Sequence, residues 1–152
     1  MEKKNIDWSN LGFTYMKTDY RYVSNYKDGA WDEGAMITDD TVAINECAGV
    51  LQYAQTVFEG LKAYTTEDGR IVTFRPDLNA ERMMDSAARL EMPPFPKERF
   101  LEAVDAVVKA NAAWVPPFGS GATLYLRPYM FASGPVIGVK PSDEYQIGRA
   151  HV

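Results

Sequence analysis

Two Asp-Gly turns constrain what this chain can fold into more than any other feature. Asp28-Gly29 stands between the alternating run Tyr20–Tyr26 and a run resuming at Ala30, and Asp68-Gly69 stands between Leu61–Tyr64 and Ile71–Phe74. Such turns supply the positive φ angles that tight hairpins need, so both pairs of runs are expected to pair antiparallel. The sheet should be mainly antiparallel.

Between and after the hairpins the pattern turns helical. Tyr53–Glu59 is read as a short helix stopped by Gly60, whose missing Cβ permits a left-handed helix end. Pro76 suits the first turn of a second helix running to about Arg89, with Met83, Ala87 and Leu90 on one stripe and Arg82, Ser86 and Arg89 beside it. A third, from Lys97 to about Ala113, places Phe100, Val104, Val107, Val108 and Asn111 on one face. Gly121–Ser133 is β-rich, and Tyr125 and Arg127, two apart, should share a strand face. The fold class is therefore α+β, a mainly antiparallel sheet with helices packed on one side.

At 152 residues, 46% hydrophobic and 24% charged, the chain suits one globular domain. No apolar run is long enough for a transmembrane helix, and the net charge of −5 is spread out, which argues against a nucleic-acid partner. The start Met-Glu-Lys-Lys-Asn-Ile-Asp has no apolar segment behind its lysines, so a cytoplasmic location is expected. Cys47 is the sole cysteine and His151 the sole histidine, so disulfides, a Ser-His-Asp triad and a histidine-ligated zinc site are not expected.

Two constellations suggest chemistry. Arg82, near a helix start, could meet an anion with help from the helix dipole, although most helix arginines make surface ion pairs. Tyr125 and Arg127 pair a phenol with a rigid fork suited to a carboxylate. Tyr53 and Phe58 could line an apolar wall nearby, or simply be core. None of the eight lysines lies in a clearly apolar setting that would make it a nucleophile.

Tyr53–Tyr64, Phe74–Met83 and Leu124-Tyr-Leu-Arg-Pro128 together resemble the amino-terminal part of branched-chain amino-acid aminotransferases, pyridoxal-phosphate enzymes of fold type IV. The resemblance runs from about Asp7 to Tyr145. It implies that Arg82 binds the cofactor phosphate, that Phe13, Phe58 and Tyr125 line the aliphatic side-chain pocket, and that Arg127 receives the side-chain carboxylate of glutamate. Tyr53, Ile137 and Val139 would reach the neighbouring subunit's site, so a homodimer is implied. The parent reaction would move an amino group from leucine, isoleucine or valine to 2-oxoglutarate, and the small-molecule partners are an amino acid and a 2-oxo acid.

In that family the lysine that bonds the cofactor lies in the carboxy-terminal part, and no lysine here matches it. No catalytic residue is therefore expected in this chain, which should be inactive alone. Residues 147–152 break the resemblance and are read as one frame of a short-read sequencing adapter, the alternative being a genuine short tail or a natural splice. The expected organisation is a small domain over 1–146 and an artefactual tail over 147–152. Two alternatives share parts of the pattern: a fragment of another fold-type IV enzyme, a D-amino-acid aminotransferase or aminodeoxychorismate lyase, and a non-catalytic binding or dimerisation module.

Overall fold

The first Asp-Gly turn closes a tight hairpin in the structure, a computed structural model that describes residues 2–12 and 14–148. Strand β1 (Arg21–Lys27) turns through Asp28 and Gly29, at φ 52° and 83°, into β2 (Ala30–Trp31), and β3 (Ala35–Ile37) pairs back onto the start of β1. A five-residue helix α1 (Gly49–Tyr53) then leads into β4 (Thr56–Phe58) and β5 (Leu61–Thr65). The second Asp-Gly turn, with Gly69 at φ 82°, joins β5 to β6 (Ile71–Thr73).

Two 14-residue helices follow, α2 (Pro76–Arg89) and α3 (Lys97–Ala110), then a 3-10 turn at Ala112–Trp114. Strands β7 (Leu124–Leu126), β8 (Tyr129–Ala132) and β9 (Tyr145–Gly148) are the last elements among the described residues. Among the described residues all strand pairings are antiparallel. They form not one sheet layer but two: β2-β1-β9-β8-β4 with β3 on β1, and β6-β5-β7. The fold is α+β.

The helices pack on each other and close the core against both sheets. Ala80, Met83 and Ala87 of α2 and Phe100, Val104, Val107 and Val108 of α3 are buried with Leu61, Ala63, Leu124, Leu126, Met130 and Ile147. Asn111, which caps the end of α3, is fully buried with its amide bonded to Tyr20, donating to the carbonyl at 2.9 Å and accepting from the N–H at 3.0 Å. Burial of a polar group is tolerated when its bonds are made.

Three expectations are corrected. The stretch from Tyr53 to Glu59 is not a helix: α1 ends at Tyr53, Ala54 takes the left-handed conformation at φ 51°, and Thr56–Phe58 pairs with Phe131–Tyr129 of β8. The β-branched and aromatic run finds a strand partner, and that pairing overrides local helix preference. Gly121–Ser133 is two strands in different sheets, because Pro128 lacks the N–H to continue a ladder and restricts Arg127 before it. Leu90 is no core residue; it caps α2 and is 41% exposed. Ile147 and Gly148 stand in β9, with Ile147 buried, whereas Arg149 to Val152 lie outside the described residues.

Candidate functional site

The two sheets meet where the chain twice crosses between them. Glu59-Gly60 carries it from β4 to β5, and Arg127-Pro128 carries it from β7 to β8. Beside this double crossing lies a cleft of about 380 Å³ whose lining includes Gly60, Lys62, Tyr64, Phe74, Arg75, Leu78, Asn79, Arg82 and Tyr125. Its volume falls in the range of about 300–1,000 Å³ usual for small-molecule sites.

Arg82 is six residues past Pro76, nearly two turns into α2, so its guanidinium turns sideways rather than past the helix end. It forms a fork on Glu59, Nε to Oε1 at 3.1 Å and Nη2 to Oε2 at 2.8 Å. The Glu59 side chain is 10% exposed and that of Arg82 is 58%. The carboxylate raises the Arg82 pKa above its ordinary value by hydrogen bonding and by charge. Asn79, buried on α2, donates to Glu59 Oε2 at 2.8 Å and to the Gly60 carbonyl at 3.1 Å.

The true occupant of the α2 start is Arg75, at φ 46°, whose guanidinium grips Asp77 bidentately with bonds of 2.8–3.2 Å. That grip lowers the Asp77 pKa to about 2. With Arg82 paired to Glu59 and Arg75 to Asp77, Lys62 is the cleft's one basic side chain without a partner among the described residues. The cleft is left with one uncompensated positive charge.

Tyr125, Arg127 and Phe58 converge on one edge of this site. Arg127 lies just beyond β7, yet its Nε and Nη2 donate to the Tyr125 hydroxyl at 3.3 and 3.2 Å, and its guanidinium lies 4.8 Å from the Phe58 ring centroid. The fork thus meets a phenol oxygen and an aromatic face, a cation–π arrangement. Phe58 remains 60% exposed. Gly60 is needed here for a reason other than a helix end: a Cβ on it would lie 2.6 Å from the Tyr125 hydroxyl oxygen.

Tyr53, Ile137 and Val139 form a separate group. The Tyr53 hydroxyl donates to the Ile137 carbonyl, and Tyr53 and Val139 line a second open cleft with Arg89 and Lys140. Arg89 is seven residues beyond Arg82 on α2, about 10 Å along the axis. Ile137 and Val139 are 81% and 91% exposed. Tyr53 and Phe58 therefore do not share a wall on one helix. Phe13 lies outside the described residues. Glu59, Asn79 and Lys62 escape a reading of the sequence by residue type, since their roles arise from contacts between distant elements.

Among the described residues no group of three or more His, Cys, Asp or Glu side chains could hold a metal, and no helix is long and apolar enough to cross a membrane. No protein-family model matches the chain. Individual relatives do. It is 55% identical over 142 residues to a branched-chain-amino-acid aminotransferase of Haemophilus influenzae, covering 93% of this chain and 41% of that protein. Against one of Helicobacter pylori it is 46% identical over 142 residues, covering 93% and 42%.

Among solved structures, a branched-chain amino acid aminotransferase of Escherichia coli matches with a TM-score of 0.68 at 24% identity, over 90% of this chain and 40% of that one. Another branched-chain amino acid aminotransferase, complexed with N-(5'-phosphopyridoxyl)-L-glutamate, matches with a TM-score of 0.65 at 25% identity, over 88% and 40%. The chain spans about two fifths of the length of the curated relatives it matches. It is a relative of the branched-chain-amino-acid aminotransferases and corresponds to their amino-terminal part.

Proposed function

We propose that this chain supplies the phosphate anchor and much of the substrate wall of a cytoplasmic, homodimeric branched-chain-amino-acid aminotransferase that uses pyridoxal 5'-phosphate. The observation that carries the reading is the cleft at the sheet crossing. Arg82 with donors still free among the described residues, the Lys62 ammonium, unpaired among them, and the Tyr64 phenol offer the donor set a phosphate ester requires. The residues fit the group.

When bound, the cofactor would supply an electron sink for the amino acid's α-carbon. The chain's own side chains bind and orient. Arg82 would hold the phosphate, and Phe58, Tyr125 and Phe13 would enclose the aliphatic side chain. Arg127, with Nε and Nη2 on the Tyr125 hydroxyl, would turn its remaining N–H donors to the carboxylate of glutamate. Tyr53, Ile137 and Val139 would extend to the partner's site, which agrees with their standing apart from Arg82. The lysine that moves the proton is expected in the carboxy-terminal part, so the 152-residue chain alone should not transaminate.

A chimera tests this directly. Residues 1–146 are joined to the carboxy-terminal part of the Haemophilus influenzae relative, and amino transfer to 2-oxoglutarate is measured with leucine and with D-alanine. Activity on leucine is expected. Activity on D-alanine alone would assign the chain to a D-amino-acid enzyme, and a folded, cofactor-loaded but inert chimera would favour a binding module.

A further inference from the structure

Arg82 meets its phosphate role with part of its donor set already committed. A guanidinium offers five N–H donors in a flat fork. Nε–H and one Nη2 hydrogen go to Glu59, and Nη1 has no bond among the described residues. The side-on edge is closed, and the end-on Nη1–Nη2 edge remains on a side chain 58% exposed.

Glu59 is itself fixed from three directions. The Asn79 amide holds Oε2 at 2.8 Å and the neighbouring Gly60 carbonyl at 3.1 Å, and the Glu59 backbone N–H donates to the Pro128 carbonyl at 2.9 Å. A nearly buried carboxylate beside an anion site is unfavourable for the anion by charge alone. Its presence there needs a compensating effect.

We propose that Glu59 is a positioning residue for anion capture: it holds Arg82 so that a phosphate is taken end-on through Nη1 and Nη2, and Asn79 locks Glu59 in that orientation. This rests on the reading that Arg82 anchors the cofactor phosphate. Fixing the long arginine side chain beforehand removes rotamer entropy that binding would otherwise cost. Orientation then outweighs the lost net charge.

The two effects have opposite signs in one variant. Glu59→Gln keeps the volume and deletes the negative charge, so net charge alone predicts tighter phosphate binding and positioning predicts weaker. The 152-residue chain is titrated with pyridoxamine 5'-phosphate, and with pyridoxamine as the phosphate-free control, neither of which carries an aldehyde to react with lysines. Glu59→Gln is expected to weaken the phosphate ester about tenfold, the worth of one charge-assisted bond, and to leave pyridoxamine unchanged. Asn79→Ala, which removes no charge, should weaken it in the same direction by less.

Tighter or unchanged binding in Glu59→Gln would overturn the proposal. Thermal unfolding of each variant is recorded, and should Glu59→Gln not fold, the wild-type Arg82 Nε–H resonance decides. End-on capture leaves it in place as ligand is added, and a ligand-induced shift in it would overturn the proposal. Loss of binding in Arg82→Ala with none in Glu59→Gln refutes the positioning role alone. Unchanged binding in Arg82→Ala, or no binding to the wild type, refutes the phosphate anchor and the positioning role together.

Discussion

Glu59 donates its backbone N–H to the carbonyl of Pro128 at 2.9 Å, and that bond ties together the two points where the chain passes between sheets. Strand β4 pairs with β8 and β5 with β7, so both ladders are interrupted at one level. Beside the interruption Phe58, Tyr125 and Arg127 come together, while the neighbouring Glu59 turns to the buried side and meets Arg82 and Asn79. The site is built at a fault in the sheet.

Gly60→Ala should disturb that fault. The new Cβ would meet the Tyr125 ring, with Oη at 2.6 Å and Cε2 at 3.1 Å, so the phenol must swing away. A loss of about 1–3 kcal/mol in denaturant unfolding is expected, the usual cost of overpacking. In a Tyr125→Ala background the same change should cost far less. Equal costs in both backgrounds would show that Tyr125 is not the obstacle.

The sequence carried the fold further than it carried the site. Asp-Gly turns and the spacing of Phe100, Val104 and Val107 encode hairpins and a helix face locally, and those features stand. Thr56–Phe58 failed because its strand partner lies some seventy residues away, which no local window can see. Arg82, Tyr125 and Arg127 were legible as residue types, and Arg82 and Tyr125 do line one cleft. Their partners were not: Glu59 and Asn79 are twenty residues apart and meet only once β4 and α2 are packed.

Lys62→Gln should weaken anion binding without unfolding the protein. The ammonium is exposed, unpaired among the described residues, and supplies the cleft's uncompensated charge. The expected fall in affinity for pyridoxamine 5'-phosphate is about three- to tenfold at low salt, shrinking as ionic strength rises. An effect that persists at high salt would mean that Lys62 acts by shape.

Asp77 gives a pH signature. Its pKa is lowered to about 2 by Arg75, chiefly through their hydrogen bonds. Because the unfolded carboxyl takes up its proton at a higher pH, about 3.9, the pair's contribution is complete above that value and is lost as pH falls towards 2. In Arg75→Gln the Asp77 carboxyl, followed by NMR, should titrate nearer the ordinary value. An unchanged midpoint would remove Arg75 as the cause.

Phe100→Ala tests the core that supports the site. The ring is 2% exposed on α3 and belongs to the cluster that includes Leu126, the residue before Arg127. A destabilisation of about 3–5 kcal/mol is expected from lost burial and the cavity left behind. A loss below about 1 kcal/mol in denaturant unfolding would contradict this packing.

The most direct measurement compares wild type and Arg82→Ala for binding of pyridoxamine 5'-phosphate against pyridoxamine. If Arg82 anchors the phosphate, the wild type prefers the phosphate ester and Arg82→Ala loses that preference by about 10- to 100-fold, with pyridoxamine unaffected. An equal preference in both proteins would contradict the assignment of this cleft to the cofactor phosphate.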